Sequence, residues 1–497
     1  MKQKKCIIIG AGIGGLAAAV RMAAANYEVL VLEKNDTPGG KIQQIQKYGF
    51  RFDTGPSLFT LPHLVTDVLN ISNTPDHDLF NFRKLHNVCR YFYEDGTIIN
   101  VPDDPLEFAS EIEEKTGEPA KHILKYLKTA QNRYLAAADL FIFNPINSLF
   151  KSALRKQPKE LQPLLAVNPV RTMHEENRKY FRSPHVIQLF DRYATYNGSS
   201  PYQASSMLNM ISHLEHNDGA FFPEKGIYSI VEAIYQKALQ LGVEFRFRSK
   251  VIGLETEKRS IRQVITTSEH LSADIVISDV DVNTFYRNQA QQLRKPRAVR
   301  KPALSSSALI FYWGMKSSHP QLDVHNILFS NDYKNEFSAI FEKQQLFNDP
   351  TVYIFISSKA VKSDAPEGME NWFVMINVPP TNENGQQVSV SEARSHIINK
   401  IKRTLKVDPE KELLFEEKAT PITIEERTGS YRGALYGNNS NSLWSAFLRH
   451  RNRSREIKNL FFTGGSVHPG GGIPLCLASS EIVKKEIDKL WSQPSKS

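Results

Sequence analysis

The sequence predicts an α/β fold. One domain has a parallel sheet assembled from separated stretches of chain; the other has a mostly antiparallel sheet and a helical part. Three observations carry this. Residues 5–25 read as a buried strand, a glycine-rich turn and an alanine-rich helix. Residues 227–278 read as an amphipathic helix and then short strands, closing on the apolar run Ala273–Ser278. Residues 460–490 repeat the order strand, glycines, helix. A chain of 497 residues exceeds one core, so two or three domains are expected. The expected division gives 1–72, 221–292 and 451–497 to the parallel-sheet domain. It gives 73–220 and 293–450 to the second domain, with its helical part at 105–190.

The opening stretch explains itself residue by residue. Lys5–Ile9 is the strand, and Gly10-Ala11-Gly12-Ile13-Gly14-Gly15 is the turn. Gly10 permits the tight strand-to-helix turn. Gly12 lets a pyrophosphate approach the backbone, and Gly15 lets the helix pack closely on the strand. The helix N-terminus offers free amides and a positive dipole end to phosphates. A second strand, Glu28–Leu32, ends on Glu33, 18 residues after Gly15, where a carboxylate accepts ribose hydroxyls. The pattern is that of a Rossmann-type dinucleotide site. The turn alone leaves NAD and FAD open.

Composition sets further bounds. Hydrophobic residues make up 41 % and charged residues 23 %, which is globular. The N-terminus begins on the first strand, without a secretory leader, and no run of 18 apolar residues predicts a spanning helix. Cys6, Cys89 and Cys476 are scattered, with no metal or disulfide spacing, which suits a reducing cytosol. The net charge of +9 admits nucleic acid, an anionic membrane or plain solubility. The basic residues are dispersed and no RNA- or DNA-binding motif accompanies them, so nucleic acid is the poorest of the three.

Along the chain, Arg90–Tyr93 before Glu94-Asp95-Gly96-Thr97 reads as a hairpin, and 105–138 as helical. Residues 140–182 combine apolar positions near helical spacing with eight basic residues against three acidic ones. That suits the surface of an anionic bilayer, or a packed helix with a solvated basic face. Ser206–His216 reads as helical; His213 and His216 share a face, but packing or surface histidines fit them better than a metal pair, and no metal is predicted. Phe221–Gly226 reads as a loop, and 293–302 as a basic linker. Residues 303–447 read as strands and loops of an antiparallel sheet with aromatic interior positions.

Leu460–Thr463 is a strand, Gly464–Pro474 a second glycine-rich loop, and 478–490 a closing helix. Two such turns at opposite chain ends imply one long ligand gripped from both. That favours FAD, with the last helix aimed at its isoalloxazine.

The combination of Gly10-x-Gly12-x-x-Gly15, Glu33, Gly39-Gly40-Lys41, Phe52–Ser57 and Gly464–Pro474 resembles the phytoene desaturase family of FAD-dependent carotenoid enzymes. The resemblance spans nearly the whole chain, and the block from His468 to Pro474 is its most specific part. Gly-Gly-Lys stands where the family more often has Gly-Gly-Arg. Arg192–Gly198 and His213–His216 are similar to the flavobacterial 1-hydroxycarotenoid 3,4-desaturases.

The resemblance implies a set of FAD contacts. Beside the opening glycines and Glu33, it places Lys41 near the pyrophosphate, and Ser57 and Leu58 by the flavin ring. Val251 meets the adenine side through its backbone, Asn283 follows the returning strand, and Leu435 lies close to the flavin. Gly465, Gly472 and Ile473 hold the ring and ribityl chain. It implies a long-chain carotenoid substrate with an acyclic end, of the hydroxy-γ-carotene or hydroxyneurosporene type. One hydrogen leaves as hydride to FAD. The proton beside the resulting allylic cation is acidic, so a strong base is less needed. Asp191, Glu215 and His468 are the weak catalytic candidates. Oxygen or a membrane quinone is the implied electron acceptor. A substrate dissolved in lipid implies a cytoplasmic protein held peripherally at the bacterial membrane, with 140–182 as the contact. Phytoene desaturation, diapocarotenoid oxidation, carotene isomerisation, and amine or porphyrinogen oxidation are alternatives on this fold. So is a non-catalytic prenyl-lipid carrier of the GDP-dissociation-inhibitor type.

Overall fold

The computed structural model describes residues 3–71, 79–146, 171–442 and 449–492. A five-stranded parallel sheet runs in the order Leu460–Phe462, Ile275–Ser278, Lys5–Ile9, Glu28–Leu32, Glu244–Arg246. Lys5–Ile9 is its centre, and its residues alternate between two cores. Cys6 and Ile8 face the helix Ile13–Ala24, which carries the buried Leu16 and Val20. Ile7 and Ile9 face a three-stranded antiparallel layer of Val251–Glu257, Ser260–Thr266 and His270–Ser272, through Val251, Leu254, Ile261 and Val264. Both faces of a parallel sheet must be covered, which is why this strand is apolar at successive positions. Helices Tyr228–Gln240 and Ile473–Ser492 pack against Ile13–Ala24.

A second sheet has seven strands, in the order Leu413–Ala419, Ser307–Met315, Glu370–Val378, Val352–Ile356, His325–Leu328, Asn87–Phe92, Ile98–Pro102. It is antiparallel except where His325–Leu328 lies parallel to Asn87–Phe92. Strand Ser307–Met315 shows the period of two: Leu309, Phe311, Trp313 and Met315 enter one core, and Ala308, Ile310 and Tyr312 the other.

Several elements differ from the sequence reading. Residues 303–447 are not strands and loops alone: helix Val390–Leu405 covers one face of the seven-stranded sheet with Ala393, Ile397, Ile398, Ile401 and Leu405. The i, i+4 spacing is present there, but lysines and arginines between these residues dilute the apolar pattern. The helical stretch 105–138 is two helices, Pro105–Thr116 and Ala120–Phe141, divided at Gly117, whose φ is +71°. Phe221–Pro223 is a strand, paired with Phe82–Lys84. The basic linker holds a one-turn helix, Arg297–Arg300. In the helical part, Met173–Tyr180 and Pro184–Asp191 follow. The centre of the 140–182 stretch, with Lys151, Arg155, Lys156 and Lys159, lies outside the described residues.

Candidate active site

A cavity of about 1220 Å³ is lined by both sheets and by the helical part. One part of its wall is the turn Gly10–Gly14 with Glu33. Another is Tyr134, Phe141 and Ile142, at the end of helix Ala120–Phe141. Between them, strand register lays Ile310, Met375, Tyr353 and Ile327 in one row across the seven-stranded sheet, and all four line the cavity.

At the nucleotide end, contacts are too close for side chains. A Cβ on Gly15 would lie 2.2 Å from the Gly10 carbonyl oxygen, and one on Gly14 would lie 2.8 Å from the Gly464 amide nitrogen. The two glycine loops from opposite chain ends therefore meet backbone to backbone. Glu33 is buried, and its carboxylate is held by the amides of Ala11 at 2.8 Å and Asn35 at 2.9 Å. Asp279, just past the buried strand Ile275–Ser278, faces the same turn: a Cβ on Gly12 would sit 2.4 Å from its Oδ2. Burial pushes the Asp279 carboxyl up to about 7, against the pull of the Gly15 amide; Glu33 adds to the rise. Asp281 accepts the amides of Asn283 and Thr284 on Oδ1, while its buried Oδ2 has no partner among the described residues.

Lys41 donates to the Leu435 carbonyl, and burial pulls its pKa down against the attraction of Asp281. Arg449 donates to the Tyr436 carbonyl at 2.9 Å, and burial takes it down to about 10. Gly471 lets the Tyr436 ring approach, since a Cβ there would be 2.6 Å from Cδ1. Helix Ile473–Ser492 begins directly after Gly472, so its N-terminus opens on the cavity.

Two polar groups stand in the wider part. Glu215 accepts Arg192 Nη2 at 3.0 Å, the Tyr193 hydroxyl at 2.9 Å and the Tyr196 hydroxyl. Burial raises its pKa, but Arg192, His216 and the two phenols outweigh it and hold the carboxyl below its ordinary value. Separately, Ser57 Oγ is 2.6 Å from the Tyr353 hydroxyl, which is 2.8 Å from His325 Nδ1. Burial pulls His325 down to about 4, so it is neutral at pH 7.

Residues 13–483 match the family of flavin-containing amine oxidoreductases. The chain belongs to that family. It is 46% identical over 484 residues, 97% of its own length and 98% of the relative's, to a 1-hydroxycarotenoid 3,4-desaturase of Flavobacterium sp. (strain P99-3). It is 28% identical to a 4,4'-diapolycopene oxygenase of Methylomonas sp., over 98% of each chain. An oxidoreductase of known structure from Methanosarcina mazei superposes with a TM-score of 0.64 at 16% identity, over 98% of this chain and 100% of that one, a likeness of fold. These findings place the chain in the carotenoid-desaturase branch as a FAD-dependent oxidoreductase.

The residues of this oxidoreductase fit FAD. The glycine turns bring backbone rather than side chains to the cavity wall, Glu33 and Asp281 would accept from ribose and ribityl hydroxyls, and the buried cations Lys41 and Arg449 would face its phosphates and ring carbonyls. Of the contacts anticipated from the sequence, Gly10, Gly12, Glu33, Lys41, Ser57, Leu58, Val251, Leu435, Gly465, Gly472 and Ile473 line the cavity. Gly15 acts behind the wall, through the Gly10 carbonyl. Asn283 is fully buried and is not in the lining; its neighbour Thr284 is.

The three catalytic candidates fare differently. Asp191 is outside the lining, bound to His174 Nδ1 at 2.6 Å and Asn177 Nδ2 at 2.8 Å, so it serves the helical part. Glu215 lines the cavity, but Arg192 and two phenols occupy its oxygens. His468 also lines it, with Nε2 2.9 Å from the Asn144 carbonyl oxygen. His216 stacks on Phe108 and bonds Tyr193, whereas His213 packs on Tyr134. Sequence reasoning missed Gly14, Asp279, Asp281, His325, Tyr353 and Arg449. The acids were open to discovery: they follow a buried parallel strand, at the edge where such sheets bind ligands.

Proposed function

We propose that this oxidoreductase introduces a double bond between C3 and C4 at the acyclic end of a 1-hydroxycarotenoid of the hydroxy-γ-carotene or hydroxyneurosporene type. The observation that carries this is the 46% identity, over nearly the whole of both chains, to the Flavobacterium 1-hydroxycarotenoid 3,4-desaturase. A large cavity joining the glycine turn to an apolar wall of Leu58, Ile310, Ile327, Phe373 and Met375 supports it. Bound FAD would supply a two-electron acceptor for one of the two hydrogens as hydride. The chain's own part is to align the target carbons along that wall and exclude water from the cation. The departing proton is acidic, and neutral groups on the wall suffice to receive it. Oxygen or a membrane quinone would be the final electron acceptor.

The same reading takes the substrate from a bilayer. Among the described residues no helix is long and apolar enough to cross a membrane. Tyr134, Phe141 and Ile142 line the cavity on the helix that leads into the basic stretch 140–182, which supports a peripheral contact there. Neutralising Lys151, Arg155, Lys156 and Lys159 is expected to weaken flotation with anionic liposomes, and unchanged flotation removes this contact.

The deciding experiment is mass analysis of products from a panel of carotenoids. Loss of two hydrogens from a 1-hydroxycarotenoid without gain of oxygen is expected. Gain of oxygen by a diapocarotenoid would favour the second reading, to which the Methylomonas oxygenase points.

A further inference from the structure

The Ser57–Tyr353–His325 chain carries an inference that rests on the 3,4-desaturase reading and deepens it. His325 is 3% exposed and stands on strand His325–Leu328, opposite Phe355. Its Nδ1 is engaged by the Tyr353 hydroxyl, while its Nε2 has no hydrogen-bond partner among the described residues. Ile327, Tyr353, Phe373 and Met375 stand beside it in the cavity lining. A buried polar nitrogen left unpaired behind such a wall is unfavourable, so a ligand that reaches and pairs it gains selectively. Glu215 does not compete for that role, because its oxygens are occupied by Arg192, Tyr193 and Tyr196.

We propose that His325, held by Tyr353 and Ser57, binds the substrate's C1 hydroxyl and sets the preference for hydroxylated carotenoids. A hydroxyl is both donor and acceptor. If Tyr353 donates to Nδ1, then Nε2–H donates to the substrate oxygen. In the other tautomer, Nε2 accepts from the substrate hydroxyl. A hydrocarbon end satisfies neither form.

The position suits the chemistry. The hydroxyl oxygen is separated from C3 only by C1 and C2, so the wall that holds it must adjoin the cofactor. Ser57 supplies that adjacency. Its loop is backed on the Lys41 segment so tightly that a Cβ on Gly55 would lie 2.1 Å from the Lys41 carbonyl oxygen. The register of strand His325–Leu328 brings the imidazole to the same wall from the other sheet.

The test uses the FAD-loaded full chain with two substrates that differ only in the hydroxyl, 1'-hydroxy-γ-carotene and γ-carotene, supplied in liposomes. Binding is read by fluorescence quenching and turnover by product analysis. The wild type is expected to prefer the hydroxylated carotenoid by roughly ten- to a hundredfold in Kd and KM. In His325→Phe the ratio should collapse toward unity. His325→Gln, which keeps a hydrogen-bonding group, should restore part of it. Tyr353→Phe, which frees the ring but keeps its volume, should lower the ratio and serves if His325→Phe does not fold. Full preference in a folded His325→Phe or in Tyr353→Phe overturns the proposal, as does a wild type that binds both carotenoids equally. A wild type that binds with preference yet desaturates neither sinks the desaturase reading and leaves the hydroxyl site standing.

Discussion

The Glu33 carboxylate accepts the Ala11 amide at 2.8 Å, which ties the end of the second strand to the glycine turn after the first. Its other oxygen accepts the Asn35 amide. One side chain thus shapes the turn proposed for the diphosphate and stands where it would accept from the ribose.

Glu33→Ala leaves two amides without their acceptor and removes that ribose partner. FAD affinity is expected to fall at least tenfold, as one lost charged hydrogen bond of roughly 1.5–3 kcal/mol implies. Flavin absorbance of the purified variant reads this directly. A fully yellow, active variant would show that the ribose lies elsewhere.

Asp279 is expected to make FAD binding depend on pH. Its carboxyl is raised by burial to about 7, so the folded chain prefers it protonated. The stability this contributes is complete below the ordinary value of 3.8 and is lost as pH rises through about 7. A diphosphate at the same helix N-terminus strengthens that preference. FAD affinity is therefore expected to fall as pH climbs past 7, and Asp279→Asn to flatten the profile. Flavin-release titrations at a series of pH values check both; a wild-type profile already flat would refute the coupling.

The contact between the glycine loops predicts a sharp contrast between two small substitutions. Gly14→Ala puts a methyl 2.7 Å from Asp279 Oδ1, 2.8 Å from the Gly464 nitrogen and 2.9 Å from the Gly464 Cα. Overpacking of this kind costs about 1–3 kcal/mol, and flavin occupancy should drop with it. Gly253→Ala meets only Ile265 at an ordinary 3.7 Å and should be tolerated. Thermal unfolding and flavin content of the two variants decide the matter.

Glu215 and Arg192 are expected to depend on each other. Glu215→Ala leaves the Arg192 guanidinium buried without its carboxylate, a loss of about 3–5 kcal/mol. The paired change Arg192→Leu with Glu215→Leu should recover much of it. Urea unfolding of Arg192→Leu, Glu215→Leu and the double variant measures the coupling, and additive losses would argue against it.

Much of the nucleotide end was legible because its rules are local. A buried strand, glycines at the turn and an acid closing the next strand lie within a few tens of residues, and each follows from backbone sterics or dipoles. The same local logic, repeated at Gly464–Pro474, tied the two chain ends to one ligand. Helix Val390–Leu405 was less legible because its apolar stripe is interrupted by charged residues on its solvent side. Asp191 misled for a different reason. Its sequence neighbours resemble cavity residues, but the side chain turns to His174 and Asn177 in the helical part.

The sequence by itself thus pointed to the family through motifs at both chain ends, and to FAD through the pairing of two glycine loops that each obey short-range conformational rules. Only the tertiary structure decided what lines the cavity. Ser57 and Tyr353 are 296 positions apart, and His325 joins them through strand register, which no local pattern encodes. Burial then left His325 Nε2 without a hydrogen-bond partner among the described residues, a feature that exists only once the seven-stranded sheet has formed.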